Sequence, residues 1–290
     1  MNNRLIAVFI LLFCTQAVFA ETETPQDVLN EYLLNQSELF SSGENVDYAE
    51  ISACIGTLAE LGDSSSYHAL FSVLVAGFPE VIKNEASGAL DMIDGNYMQF
   101  LVWVILENPP DEKLAAFRAG MNSRRLGPAE QGQLAELALE QGLASTSAPS
   151  LLNPYADSSV LSALRYSSIL AITRLQWTRA SAMATRHFYR VMTDYLNGVV
   201  SRDRFYQAIT CLGTIGSTDA SLALALQLGL INAQTEKTGS FDEGIVLAMV
   251  QALGSIGDKA AFDYLFYISY LRYPANIQAA AKEALGRLRW

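Results

Sequence analysis

The sequence predicts an all-helical fold built from repeated pairs of antiparallel helices. A short apolar phrase with glycines recurs towards the C-terminal end, as ITCLGTIGS at 209–217, QALGSIGD at 251–258 and ALGRL at 284–288. In an earlier copy, Ile51, Ile55, Leu58 and Leu61 have the spacing of one face of an α-helix. The complete copies end on glycine followed by aspartate or serine, which predicts a helix stop and then a capping residue.

A second apolar helix follows each closing dipeptide, so each unit is predicted as helix, tight turn and helix. The second helices are predicted at 65–77, 180–196, 219–232 and 259–273, and LALALQLGLIN at 222–232 is typical of a buried helix. The inner glycine of the phrase, Gly213 or Gly254, costs about 1 kcal/mol of helix stability relative to alanine. We therefore expect a neighbouring helix to approach these glycines too closely for a Cβ atom.

The residues ITCLGTIGSTDASLALAL, VQALGSIGDKAAFDYLFYI and AAAKEALGRL resemble HEAT repeats, including bacterial variants with the lyase-type HEAT-like repeat. The resemblance covers residues 160–290 and, more faintly, 46–107. It implies a right-handed, armadillo-type α-solenoid of stacked antiparallel helix pairs, in which neighbouring units share one continuous core. HEAT-like repeats specify an architecture and leave the activity open.

The N-terminal segment MNNRLIAVFILLFCTQAVFA is predicted to be a signal peptide that is cleaved after Ala20. Arg4 supplies the positive charge, and the apolar run that follows is shorter than a membrane span. An uncleaved anchor is one alternative, and lipidation of Cys14, which the preceding Phe13 disfavours, is another. We expect an exported, periplasmic protein with a signal peptide at 1–20, an N-terminal helical repeat half at 21–142, a Ser/Pro-containing linker or loop at 143–159 and a C-terminal HEAT-like half at 160–290.

Charge is distributed unevenly along the chain, whose net charge is −11. Residues 21–112 contain one basic residue against seventeen acidic ones, whereas residues 165–204 contain seven arginines and two aspartates, with aromatic residues between them. Export and the acidic balance disfavour a nucleic-acid partner. We expect instead a protein or peptide partner, or an anionic envelope glycan or lipid headgroup. The alternative is that the arginines pair locally, as Arg190 and Asp194 would at i, i+4.

Six residues are predicted to lie at a partner-binding groove. In HEAT-like solenoids the second helix of each pair usually lines the concave surface, so the resemblance implies a groove near Arg186, Tyr189, Arg190, Tyr267, Tyr270 and Tyr273. Exposed tyrosine and arginine are residue types that dominate protein interfaces. The competing interpretation is that the aromatic residues of the last pair pack against the final helix.

No catalytic residues, metal ligands or cofactor are predicted. His68 and His187 lack the HExxH spacing, and the chain has no GxSxG elbow, phosphate loop or dinucleotide glycine motif. Cys54 and Cys211 are predicted to be buried thiols of the core. We expect a non-enzymatic binding or scaffold protein of the bacterial cell envelope, whose charge polarity would also support self-association. The alternatives are a lyase-type HEAT-like enzyme and a structural envelope component without a discrete ligand.

Overall fold

The computed structural model describes residues 24–144 and 159–289, and these residues are all-α, as predicted. They form fourteen α-helices and four short 3₁₀ segments, with no β-strand. The predicted signal peptide lies outside the described residues, as does the predicted linker apart from its ends, where Ala144 closes one helix and Ser159 opens the next. The chain forms two compact units that divide between Leu126 and Gly127.

The first unit contains six described helices, which pack as neighbouring pairs. They are α1 (Pro25–Ser41), α2 (Tyr48–Leu61), α3 (Tyr67–Val75), α4 (Glu80–Met92), α5 (Tyr97–Glu107) and α6 (Pro110–Asn122). Helix α1 lies beside α3, α2 lies beside α4, and α5 packs on α6. Leu33, Leu58, Leu70 and Leu90 are completely buried between these helices, so each contributes roughly 1.5–3 kcal/mol of burial free energy.

The second unit contains eight described helices, arranged largely in two rows. They are α7 (Pro128–Ala144), α8 (Ser159–Leu175), α9 (Ser181–Leu196), α10 (Arg202–Ile215), α11 (Thr218–Thr238), α12 (Glu243–Ile256), α13 (Phe262–Tyr267) and α14 (Ala275–Gly286). In the first row α8, α10, α12 and α14 pack side by side in that order, and in the second row α9, α11 and α13 do the same. Helix α7 packs mainly on α8 and touches α9.

The turns between paired helices have the predicted chemistry. Helices α2, α10 and α12 each end at a glycine with positive φ, which are Gly62 (φ 70°), Gly216 (φ 67°) and Gly257 (φ 69°). The next residue caps the following helical segment, because its side-chain oxygen accepts a backbone N–H two or three residues on; these residues are Asp63, Ser217 and Asp258. The left-handed glycine ends one helix at low steric cost, and the cap satisfies a free amide of the next.

Helix α8 also ends at a residue with a left-handed backbone, but this residue is not a glycine and its hydrogen bonds differ from those of the glycine ends. Gln176 has φ 51°, and it is the only residue other than glycine with positive φ among the described residues. The N–H of Gln176 donates to Thr173 O at 3.2 Å, and the N–H of Trp177 donates to Ile172 O at 3.0 Å. This pair of bonds is a Schellman motif, and its left-handed position costs a residue with a Cβ roughly 1–2 kcal/mol.

The inner glycines of the repeated phrase lie at helix contacts, as predicted. A Cβ atom at Gly213 would lie 2.8 Å from Ala252 Cβ on α12, and one at Gly254 would lie 2.9 Å from Ala284 Cβ on α14. In both cases a glycine of one copy contacts an alanine of the next copy. That alanine lies two residues before the glycine of its own copy. The same contact therefore recurs along the first row, whereas a Cβ at Gly286 would meet no atom within 4 Å.

A backbone hydrogen bond also recurs between two pairs of turns. The N–H of Arg289, which follows α14, donates to Gly257 O at 2.8 Å, and the N–H of Asp94, which follows α4, donates to Gly62 O at 2.7 Å. Gly62 and Gly257 are equivalent in the repeated phrase, and so are Asp94 and Arg289. One geometry thus occurs once in each unit.

Cys54 and Cys211 are buried, free thiols, in agreement with the sequence prediction. Burial raises the pKa of Cys54 to about 12 and that of Cys211 to about 11. Both thiols therefore remain protonated at neutral pH, and a protonated buried thiol is a weak nucleophile.

Candidate partner-binding surface

Helix α9 presents three of the predicted site residues on or near its exposed side. Ala184, Phe188 and Val191 are buried at helical spacing, which fixes the inward face. On the other side Arg186 and Tyr189 are exposed, and Tyr189 keeps 42% of its surface accessible.

Arg190 lies at the edge of that exposed side and is only partly accessible. Its Nε lies 3.8 Å from Asp194 Oδ2. The alternative interpretation of the sequence, that the arginines pair locally with acidic residues, is therefore confirmed for Arg190.

Two of the three predicted tyrosines near the end of the chain are exposed. Tyr267 closes α13 and Tyr270 closes the 3₁₀ segment Ile268–Tyr270, with exposed fractions of 39% and 69%. The Tyr267 hydroxyl donates to Glu236 Oε1 at 2.9 Å, which links α13 to the last turns of α11. Hydrogen bonding to this carboxylate raises the pKa of Tyr267.

Tyr273 corrects the sequence prediction, because it belongs to the core. The predicted helix 259–273 is broken: a 3₁₀ segment, α13 and a second 3₁₀ segment end at Tyr270, and Leu271 is extended with ψ 159°. The chain therefore turns, and Tyr273 becomes 96% buried. Its hydroxyl donates to Asn232 Oδ1 at 2.9 Å and lies 3.1 Å from Thr235 Oγ1. Burial raises the pKa of Tyr273, and the residue anchors the chain to α11.

Helix α11 contributes exposed leucines that the sequence prediction missed. The segment 222–232 was expected to be buried, and α11 was expected to end at residue 232 rather than at Thr238. Leu222, Leu226 and Leu230 are instead 45%, 45% and 66% exposed. Their spacing of four places them along one side of the helix, while Leu224 and Leu228 on another side are completely buried.

Helix α11 lies between α9 and α13, so the predicted residues form two groups with the leucines between them. Ser181 Oγ donates to Ser217 Oγ at the starts of α9 and α11. Arg186 and Leu222 each lie five residues after these two serines along their own helices. We call the exposed side of these three helices the binding face; its large side chains are Arg186, Tyr189, Leu222, Leu226, Leu230, Phe266, Tyr267 and Tyr270.

The binding face is rich in uncovered aromatic and apolar surface. Tyr189 and Phe266 are each 42% exposed, in addition to Tyr267 and Tyr270. At about 150–250 Å² per aromatic side chain, these four residues leave on the order of 400 Å² accessible, and the leucines add to it. Exposed apolar patches of roughly 300–600 Å² on a monomer are often functional.

Most arginines of the basic stretch contact groups of the protein itself. Arg202 Nη2 lies 2.7 Å from Asp242 Oδ1, and the guanidinium of Arg179 lies over the ring of Trp177 at 5.7 Å. Arg186 differs from these, because the described residues give it no ion-pair partner. It is therefore the arginine of the binding face best placed to meet a partner.

Further arginines converge on a buried aromatic cluster between α8, α9 and α10. The ring of Tyr166 has the guanidinium carbon of Arg204 at 4.1 Å from its centroid and that of Arg165 at 5.3 Å. His187 meets the same ring edge-on at 5.4 Å. We call Arg165, Tyr166, His187, Arg190 and Arg204 the arginine–histidine cluster.

Burial dominates the electrostatics of this cluster. Arg165 is 1% exposed and His187 is completely buried. Burial first, and then the positive charges of Arg165, Arg190 and Arg204, lower the pKa of His187 to about 3. The imidazole is therefore neutral at physiological pH. The other histidine of the chain, His68, is exposed.

The described residues contain no group of three or more His, Cys, Asp or Glu side chains that could hold a metal ion. Across residues 24–144 and 159–289, no helix is both long enough and apolar enough to cross a bilayer.

The described residues form an all-α protein of paired helices with aromatic side chains exposed on the binding face. No protein-family model matches the chain, and no curated protein matches it significantly.

Proposed function

We propose that the protein is an exported, non-enzymatic binding protein of the bacterial cell envelope that recognises a protein partner through the binding face. The observation that carries this proposal is the row of exposed leucines on α11, flanked by exposed tyrosines on α9 and α13. A fold gains stability by burying such side chains. Leaving them accessible on three adjacent helices therefore favours a surface that a partner covers.

The composition of the binding face supports a protein partner in particular. Tyrosine and arginine are enriched among residues that dominate binding energy, and a flexible charged rim around an apolar centre is typical of protein interfaces. Here Leu222 and Leu226 form the apolar centre, with Arg186 beside them. An acidic or partly acidic partner segment would pair with Arg186 while covering the leucines.

We further propose that the helix pairs form a HEAT-like α-solenoid. Three observations support it: the Gly–Ala contact that recurs from α10 to α12 and from α12 to α14, the left-handed backbone at the ends of α2, α8, α10 and α12, and the two-row packing of the second unit. Repeats that contact mainly their neighbours present extended faces, which suits recognition over a surface rather than in a pocket.

A site-specific crosslinking experiment tests the binding proposal. A photoreactive phenylalanine analogue replaces Tyr189, Leu226 or Tyr270 in cells that express the protein at native level. All three positions are expected to give the same crosslinked partner, identified by mass spectrometry. The matched control is Ala279, which is exposed on α14 outside the binding face. Equal adducts at Ala279, or no common adduct at the three test positions, would contradict the proposal.

Export is tested separately by sequencing the N-terminus of the protein recovered from the periplasmic fraction. Cleavage after Ala20 yields a chain that begins at Glu21. A chain that keeps Met1 and stays in the cytosolic fraction would overturn the envelope assignment, whatever partner the crosslinks identify.

A further inference from the structure

We propose that the exposed side of α5 is a second docking surface, which binds a basic, amphipathic segment of a partner protein. Helix α5 belongs to the first unit, so this surface shares no residue with the binding face. Three exposed and uncharged residues of α5, Gln99, Trp103 and Leu106, follow one another at spacings of four and three, which places them on one side of the helix. We call these three residues the α5 face.

The first argument is an exposed tryptophan that the core holds in place. Trp103 keeps 47% of its surface accessible, and Leu106 keeps 42%. The ring of Phe100 lies 6.2 Å from that of Trp103 and stacks on the buried ring of Tyr67 at 5.2 Å. Trp103 therefore continues an aromatic stack that begins in the core, and a partner that covers it restricts little side-chain motion. Tryptophan is one of the residue types that dominate the binding energy of protein interfaces.

The second argument is the charge of the unit that carries the α5 face. Residues 1–126 contain seventeen acidic and six basic residues, whereas residues 127–290 contain thirteen of each. The whole net charge of −11 therefore belongs to the first unit. A surface in this field attracts a cationic partner and repels an anionic one.

Acidic side chains lie at both ends of the α5 face. Before the start of α5, Asp63 and Asp94 are exposed on two turns, which are joined by the hydrogen bond from Asp94 N–H to Gly62 O. At the other end, Glu107 closes α5 and Asp111 lies in the first turn of α6, and both are exposed. The apolar centre of the α5 face thus has an acidic rim.

Two cations also lie close to α5, and both contact backbone carbonyls. Lys113 Nζ donates to Leu106 O at 2.9 Å, and the guanidinium of Arg125 donates to Ile93 O and Gly95 O. Neither cation belongs to the α5 face. An apolar centre with an acidic rim fits a helical segment that presents leucine-like side chains on one side and lysine or arginine beside them.

Two synthetic helical peptides with the same leucine spacing test the proposal. One carries lysine at its polar positions and the other carries glutamate, and each is labelled and titrated with the full-length protein in a fluorescence anisotropy experiment. The lysine peptide is expected to bind saturably, with an affinity that falls as salt is added. Trp103→Ala is expected to weaken this binding by at least about tenfold. Any binding of the glutamate peptide is expected to be the same in Trp103→Ala and in the wild type.

Two further variants make the test specific. Tyr206 on α10 is also 47% exposed, but it lies in the second unit and outside the binding face, so Tyr206→Ala is expected to leave binding of the lysine peptide unchanged. Glu107→Gln keeps the apolar surface and is expected to weaken binding of the lysine peptide by about twofold to fivefold, because it removes one exposed charge of the rim. This variant also tests the proposal if Trp103→Ala does not fold.

The absence of saturable binding of the lysine peptide would overturn the proposal. Equal binding by Trp103→Ala and the wild type would overturn it too, because the acidic charge alone would then attract the peptide. Sedimentation provides another check: a dimer that Trp103→Ala converts to a monomer would mean that a second copy covers the α5 face, which contradicts the proposal. These results are independent of the crosslinks at the binding face, so failure of the α5 face is distinguishable from failure of the proposed function.

Discussion

Replacing Gly254 with alanine inserts a methyl group where α12 and α14 touch. A Cβ atom at this position lies 2.9 Å from Ala284 Cβ and 3.0 Å from Ala284 Cα, whereas non-bonded carbon atoms pack at about 3.5–4.0 Å. The two helices must therefore separate by roughly 0.5–1 Å at this point. Overpacking of this kind typically costs about 1–3 kcal/mol.

Gly286 provides a matched control for this substitution. It occupies the aligned position in the last copy of the phrase, and an added Cβ atom there meets nothing within 4 Å. Alanine gains up to about 1 kcal/mol of helix propensity inside a helix, as at Gly254, and less at Gly286, the last residue of α14, so the comparison cancels only part of that gain. We expect Gly254→Ala to be about 1–3 kcal/mol less stable than Gly286→Ala. The corresponding difference in Tm is roughly 2–10 °C for a unit of this size.

Calorimetry and urea unfolding followed by circular dichroism measure the difference. Gly213→Ala serves as an independent repeat of the experiment, because its added Cβ lies 2.8 Å from Ala252 Cβ. It is expected to behave like Gly254→Ala. Equal stability of Gly254→Ala and Gly286→Ala would refute the reasoning, since it would mean that α12 and α14 accommodate the methyl group without loss of packing.

Three further predictions concern single side chains. Gln176→Gly is expected to stabilise the protein by about 1 kcal/mol, because glycine adopts a left-handed backbone without steric strain. Gly216→Ala is expected to destabilise it by about 1–2 kcal/mol, because alanine is strained at a left-handed position. Thermal unfolding should therefore show a higher Tm for the first variant and a lower Tm for the second. His187 has a pKa of about 3 when folded and an ordinary value of 6.5 when unfolded, so the unfolded chain binds the extra proton and stability falls as pH decreases through 6.5. Wild type is expected to lose about 2 kcal/mol more than His187→Leu between pH 7 and pH 5, and parallel pH profiles would contradict this. Tyr273→Phe is expected to cost about 1–3 kcal/mol, since it deprives Asn232 Oδ1 of its donor, whereas Tyr270→Phe on the surface is expected to change stability by less than about 0.5 kcal/mol; equal effects in urea unfolding would contradict the assignment of Tyr273 to the core.

The helix ends and the glycine contacts were predictable because they depend on local chemistry. A glycine after an apolar helical stripe supplies the left-handed turn, and the next aspartate or serine caps the following helix. The close approach at Gly254 was predictable for a related reason, since a glycine within a helix is costly unless a contact requires it. Alignment of the phrase also places Gln176 at the glycine position, although the sequence gives no sign that a glutamine adopts a left-handed backbone there.

The candidate site was less predictable, because exposure depends on neighbouring helices. Leu224 and Leu226 differ little in sequence context, yet one is completely buried and the other is 45% exposed. Tyr273 was misplaced because a regular helix was assumed through Leu271, where the chain becomes extended. The burial of Arg165 and His187 results from packing among three helices that are distant in sequence, and composition alone favours exposed arginines.

The recurrent Gly–Ala contact has a consequence for how a chain of this kind can change in length. The stretch 213–253 begins with Gly213 and contains, near its end, Ala252, which is the alanine that packs against Gly213. A tandem duplication of that stretch after Leu253 would give each new glycine an alanine in the following copy, with the turn residues carried along. Each duplication would add one helix to each row and lengthen the exposed face by one leucine-bearing helix. The length of the exposed face can thus change in whole steps, while the residues that join the steps stay the same.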